Sequence, residues 1–352
     1  MTTIVRLPGP QTCMIGSLPH HNIDAALAMS MQVDIPFLPQ IPIRNPWEFM
    51  IAQALEGMPG LNVEEDGSVA LDVQVWRGRS HALNDRLLNA FAAMPVRHEA
   101  FESFEPSSST SSGWQPFLWE LHERGIKTAK VQIAGPLTAQ WALRLKDGSN
   151  IGKHTDLTTQ IYRLVLARAL AMCRRLQTDG IQPVLYLDEP GLYGFTASDP
   201  RHALALQELR ILVKALRKEG VTVGLHCCSN TDWSAVLSLD INILSIDAKL
   251  SFASLLQRSE EVENFLRTGG RLSLGVIPTT KIAEDDVRIL FEELLEIFGK
   301  SPLSRQPELV RKALYDAIYT PACGLALHST ADAETVLATL LEFKQFCRQT
   351  LG

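Results

Sequence analysis

The tripeptide His226-Cys227-Cys228 closes the apolar run Val221–Leu225. In an extended segment alternate side chains share a face, so His226 and Cys228 project together while Cys227 points the other way. An imidazole and a thiol side by side at a strand end make half of a soft zinc site. The other half must come from elsewhere in the chain. Cys323, in Thr320-Pro-Ala-Cys-Gly324, and Asp247, which ends the run Ile243–Ile246, are the candidates. The competing reading is plain packing, since buried cysteine is a common core residue. Cys13, Cys173 and Cys347 read as such apolar fillers, and Cys227 as packing by its direction. A second pair of chemical groups, Asp188-Glu189, ends the run Pro183–Leu187. Two acids at a strand end serve either a site or the cap of a following helix.

If imidazole and thiols converge, the chemistry is that of a thiol. A free thiol has a pKa of about 8.5, so little of it is thiolate at neutral pH, and a bound metal deprotonates a coordinating thiol outright. Three protein ligands with a labile fourth position is the catalytic zinc pattern, whereas a closed set of four is structural.

The elements that must position these residues alternate along the chain. Predicted strands are 12–17, 34–38, 128–133, 183–188, 221–226, 242–247, 271–277 and 317–323, with predicted helices at 156–178, 202–218, 284–298 and 331–348. Ile161, Val165, Ala169, Met172 and Leu176 form an inward stripe at helical spacing. Gly180 and Gly220 stand where helices stop, and Ser329 with Asp332 has capping-box spacing. Eight strands separated by helices imply a parallel sheet, and eight is the number that closes a (β/α)8 TIM barrel. An open doubly wound sheet is the alternative, although no glycine-rich nucleotide loop follows the first strand. The whole chain, 1–352, reads as one such domain. Within it, 60–113 breaks the rhythm: Leu61–Trp76 reads as two short strands around Asp66-Gly67, then a helical stretch and a serine-rich loop, an insertion between strands 2 and 3.

In barrels the chemistry gathers at the carboxyl ends of strands. Gly16-Ser17 ends the first predicted strand, Gly135-Pro136 follows the third, Asp188 ends the fourth, His226 the fifth, Asp247 the sixth, and Cys323 the last. His20 and His21, just beyond the first strand, read as exposed loop residues, with a proton donor as the alternative.

With 352 residues, 46% hydrophobic and 20% charged, the composition is that of an ordinary globular enzyme. A formal charge of −6 without a basic stripe argues against nucleic acid as a partner. No apolar run is long enough for a membrane span. Neither a signal-peptide layout at Met1–Pro8 nor a disulfide framework is apparent among six cysteines, so a cytoplasmic address is expected.

Gly16-Ser-Leu-Pro19, Gly135-Pro-Leu-Thr138 with Trp141, Asp188-Glu-Pro190, His226-Cys-Cys228 and Cys323-Gly324 occur in the order and strand positions of one family. The chain resembles the C-terminal catalytic barrel of cobalamin-independent methionine synthase, in the short single-barrel form, within the uroporphyrinogen decarboxylase and methionine synthase-like group. The resemblance implies a zinc-dependent methyltransferase that acts on a thiol, homocysteine to give methionine, with methylcobalamin or another methylated corrinoid, or methyltetrahydrofolate, as donor. A corrinoid protein is then a possible partner. By position, His226, Cys228 and Cys323 match zinc ligands, and Asp247 stands where the family has a glutamate ligand. Ile15, Gly16, Ser17 and Asp188 match residues that bind the amino-acid substrate. Glu189 and Trp141 are further substrate-contact candidates, with capping and packing as their respective alternatives. Asp188 and Asp247 are the catalytic candidates. The chain departs from the pattern at Gly275-Val-Ile-Pro278, where the family has a proton-donating histidine segment, and at Pro39–Trp47, where it has an acidic segment. Two other functions stay open on these residues: a decarboxylase of the uroporphyrinogen type, and a non-catalytic zinc- or corrinoid-binding partner of a methyltransferase.

Overall fold

Strands buried on both faces read as continuous apolar runs, and that is how this sheet is built. A computed structural model describes residues 9–92, 98–196, 198–280 and 286–352. Its ten strands are β1 (Gln11–Thr12), β2 (Leu61–Val63), β3 (Val69–Leu71), β4 (Thr128–Ala134), β5 (Arg144–Leu145), β6 (Gln182–Asp188), β7 (Thr222–Cys227), β8 (Ile243–Asp247), β9 (Arg271–Ile277) and β10 (Ile318–Pro321). Seven of them form a curled parallel sheet in the order β1-β10-β9-β8-β7-β6-β4. Apart from the first residues of β4 and β6, every residue of β4 and of β6 to β10 is buried.

The predicted strand 34–38 is reduced to isolated bridges. Phe37 pairs with Lys130, and Gln40 with Ser17. Hydrogen bonds tie this segment to β4 through Lys130 N–H to Pro36 O (2.7 Å) and Leu38 N–H to Lys130 O (2.9 Å). On its other side, Gln40 N–H donates to Gly16 O (3.0 Å). Pro36, Pro39 and Pro42 each remove a ladder donor, which keeps a full strand from forming. The first predicted strand is likewise short, because Gly16 at φ +140° breaks the extended run.

The helices lie against this sheet. The long helix Thr155–Thr178 buries the predicted stripe from Ile161 to Leu176. Gly180 and Gly220 both adopt positive φ after their helices, and Ser329 with Asp332 forms the capping box of Thr330–Leu351. The helix predicted from residue 284 runs Val287–Gly299; residues 284 and 285 lie outside the described set.

The predicted hairpin is present as β2 and β3, antiparallel, and β5 joins β3 in parallel. Its second arm is shorter than the pattern Val73-Gln-Val-Trp76 suggests. The chain turns into the helix Val73–Ala92 instead. Asp72 Oδ1 accepts the N–H groups of Gln74 (3.0 Å) and Val75 (3.1 Å), a cap that outweighs the strand-like alternation. No helix of the described residues is long and apolar enough to cross a membrane.

Candidate active site

A cavity of about 500 Å³ opens at the carboxyl ends of the strands. Ile15, Ser17, Asp188, His226, Cys228 and Cys323 line it, six predicted residues drawn from the ends of β6 and β7 and the segments after β1 and β10. Cys227 faces the opposite way, wholly buried, its thiol donating to Ser229 O at 3.2 Å.

Parallel register sets the geometry. Asp188 pairs with His226 across β6 and β7, and His226 with Ser245 across β7 and β8. His226 Nδ1 and Ser245 Oγ lie 3.0 Å apart, leaving Nε2 free of protein partners among the described residues. Burial, aided by the Lys130 charge, holds the imidazole down to about 3, so it is neutral at physiological pH. Asp188 is 6% exposed, and its Oδ1 has no hydrogen-bond partner among the described residues. Burial pushes its carboxyl up to about 7 against the pull of Lys130, with Cys323 adding to the rise.

Cys228 and Cys323 line the same cavity, near enough for each to shift the other's thiol. Their mutual influence lowers the Cys323 thiol and, with burial, raises that of Cys228. Close packing places Cys323: a Cβ on neighbouring Gly324 would fall 2.1 Å from Ser17 Oγ, so any larger residue would have to turn the Ser17 side chain away. Leu325 N–H then donates to Ser17 O at 2.9 Å.

The remaining predicted residues stand outside the cavity lining. Gly16 sits behind it, against the side chain of Gln132. Asp247 begins the helix Ala248–Leu256, Oδ1 accepting from Lys249 N–H (2.8 Å) and Leu250 N–H (2.9 Å). Glu189 is fully buried: Oε1 accepts from Leu137 N–H (3.2 Å), and Oε2 from Thr138 N–H (2.7 Å) and Oγ1 (2.6 Å). Its carboxylate is the cap of the helix Pro136–Ala142. Trp141 packs on His202, ring centroids 4.7 Å apart. His20 is buried rather than exposed, at 5%, while His21 is exposed.

Lys130 is a residue that sequence reasoning missed. It is fully buried in β4, its Nζ donating to Ile15 O (2.5 Å) and Gln132 Oε1 (3.0 Å) and lying 4.8 Å from the centre of the Tyr186 ring. A lysine centred in the strand run 128–134 is the signal that could have drawn notice. Phe49, Met50, Leu327 and His328 also line the cavity and were not foreseen. Among the described residues, no three His, Cys, Asp or Glu side chains stand close enough together to hold one metal ion. The donor types nevertheless suit zinc: two thiols and a neutral imidazole line the same cavity.

No family model matches the sequence, and no curated protein matches it. Among solved structures, the chain is similar to a B12-independent methionine synthase from Shewanella sp. W3-18-1 in complex with selenomethionine. The identity is 14%, 67% of each chain is covered, and the TM-score is 0.49.

Proposed function

We propose that this chain is a zinc-dependent methyltransferase acting on a thiol, with homocysteine as acceptor and methionine as product. The observation that supports it is the convergence of Cys228 and Cys323, from strand ends far apart in sequence, on one cavity that His226 and Asp188 also line. The fold in this reading is a closed (β/α)8 barrel, with 36–40 as its second stave, acting in the cytoplasm.

His226, Cys228 and Cys323 would hold the zinc, with Asp247 as a displaceable fourth ligand through the oxygen not used in capping. When bound, the metal supplies Lewis acidity that keeps an acceptor thiol ionised at neutral pH. The rest of the work is positioning. Asp188 offers its unpartnered oxygen to the substrate ammonium, and Ser17 orients the carboxylate. With His226 Nδ1–H donating to Ser245 Oγ, the tautomer would be the one that presents Nε2 to the metal. Phe49 and Met50, both half-buried, give the cavity an apolar wall beside the reacting groups. Methylcobalamin, carried by a corrinoid protein, and methyltetrahydrofolate are the candidate donors.

Zinc-loaded protein and homocysteine, incubated separately with methylcobalamin and methyltetrahydrofolate, should form methionine with one of them; product from neither overturns the homocysteine reading. X-ray absorption of the zinc protein should gain a sulfur neighbour on adding homocysteine. Cys228→Ser should lose bound zinc and turnover, whereas Cys227→Ser should keep both. Equal damage from the two variants would refute the assignment of faces.

A further inference from the structure

A second cavity, about 550 Å³, lies between the insertion helix Val73–Ala92 and the start of the long helix Thr155–Thr178. None of its lining residues belongs to the cavity of the two sulfurs. Its size falls within the roughly 300–1,000 Å³ of small-molecule sites. Arg77, Lys153 and Arg163 line it with the imidazole of His154, against one acid, Asp156. None of these three cations has an ion-pair or hydrogen-bond partner among the described residues, unlike the arginines paired elsewhere on the surface. On a chain of formal charge −6, three free cations converging on one groove is a local reversal of sign.

The backbone reinforces that field. His154 stands at the N-cap of the long helix without a side-chain cap bond, so the first N–H groups of the helix have no side-chain acceptor there. A helix start adds partial positive charge to the cations beside it. The floor is rigid: Trp76 Nε1 donates to Gln160 Oε1 at 2.6 Å, and Gln160 Nε2 donates to Asn84 Oδ1 at 2.7 Å and Ser80 O at 3.1 Å. Position matters as well. The long helix returns the chain between the parallel strands β4 and β6, so its start lies at the carboxyl ends of the strands, the end that carries the sulfur pair.

We infer that this groove binds the phosphate group of a phosphorylated metabolite. Two guanidinium groups suit the forked recognition of a phosphate, and an excess of two positive charges matches a phosphate dianion.

The test is calorimetric titration of the full chain at low ionic strength with inorganic phosphate and with pyrophosphate, using acetate as the carboxylate control. Saturable binding tighter than about 1 mM is expected for at least one phosphate probe. It should weaken by about tenfold or more in an Arg77→Gln, Arg163→Gln double variant of unchanged melting temperature. If that variant does not fold, Lys153→Gln should weaken binding in the same direction. No saturable binding to either probe, equal binding of acetate, or undiminished affinity in the variants overturns the inference.

Discussion

At the scale of single residues, Asp188 and Glu189 show how neighbouring acids divide. Adjacent side chains leave a strand end in different directions, so Asp188 meets the cavity while Glu189 turns to the amides of Leu137 and Thr138. The dipeptide put both acids at a strand end; it could not say which was spent on a cap. Glu189→Ala should therefore lower stability by about 2–3 kcal/mol, because it strands buried donors. Chemical denaturation measures this, and a loss below about 0.5 kcal/mol would mean the cap is redundant. Asp247 shows the same ambiguity: its strand-end position was legible, and its Oδ1 bonds to Lys249 and Leu250 are those of a cap. The partner of His226 proved to be Ser245, set by a register that a single sequence does not display. Lys130 escaped because its partner Ile15 O lies 115 positions away.

At the scale of elements, β4 and β6 to β9 were readable because both faces are covered, leaving unbroken apolar runs. The segment 34–38 was read as a strand, yet Pro36 within it and Pro39 after it hold it to bridges. Val73–Trp76 alternates like a strand but starts a helix, since a cap at Asp72 is a local interaction that alternation does not record. Register between β6 and β7 depends on one small residue. Tyr186 pairs with Gly224, and a Cβ there would fall 1.9 Å from the Tyr186 ring. With Lys130 beside that ring, it has little room to turn. Gly224→Ala should cost about 3 kcal/mol through overpacking, read as a lower denaturation midpoint. A midpoint equal to that of the parent chain would show that the ring can step aside.

At the scale of the whole molecule, the loops around the sheet are held by a buried cation. Arg168, 3% exposed on the long helix, contacts Glu56 Oε2 (2.8 Å), Glu56 O (2.8 Å) and Phe104 O (3.2 Å). One guanidinium thus joins the segment before β2, the segment after the insertion helix, and the long helix. Removing the acid leaves that charge uncompensated, so Glu56→Ala should destabilise by about 3–5 kcal/mol. Loss of the loop anchor should also appear as faster proteolysis near residues 56 and 104. Unchanged cleavage and stability would show that the carbonyl contacts suffice.

The pairing of Cys228 with Cys323 in one cavity carries a consequence for biosynthesis. Synthesis runs from the N-terminus, so the first thiol leaves the ribosome long before its mate exists. The nascent chain can thread β6, β7, β8 and β9 into place and still present a solitary sulfur. Completion of the pair is therefore a late event of maturation, gated by translation of the final strand.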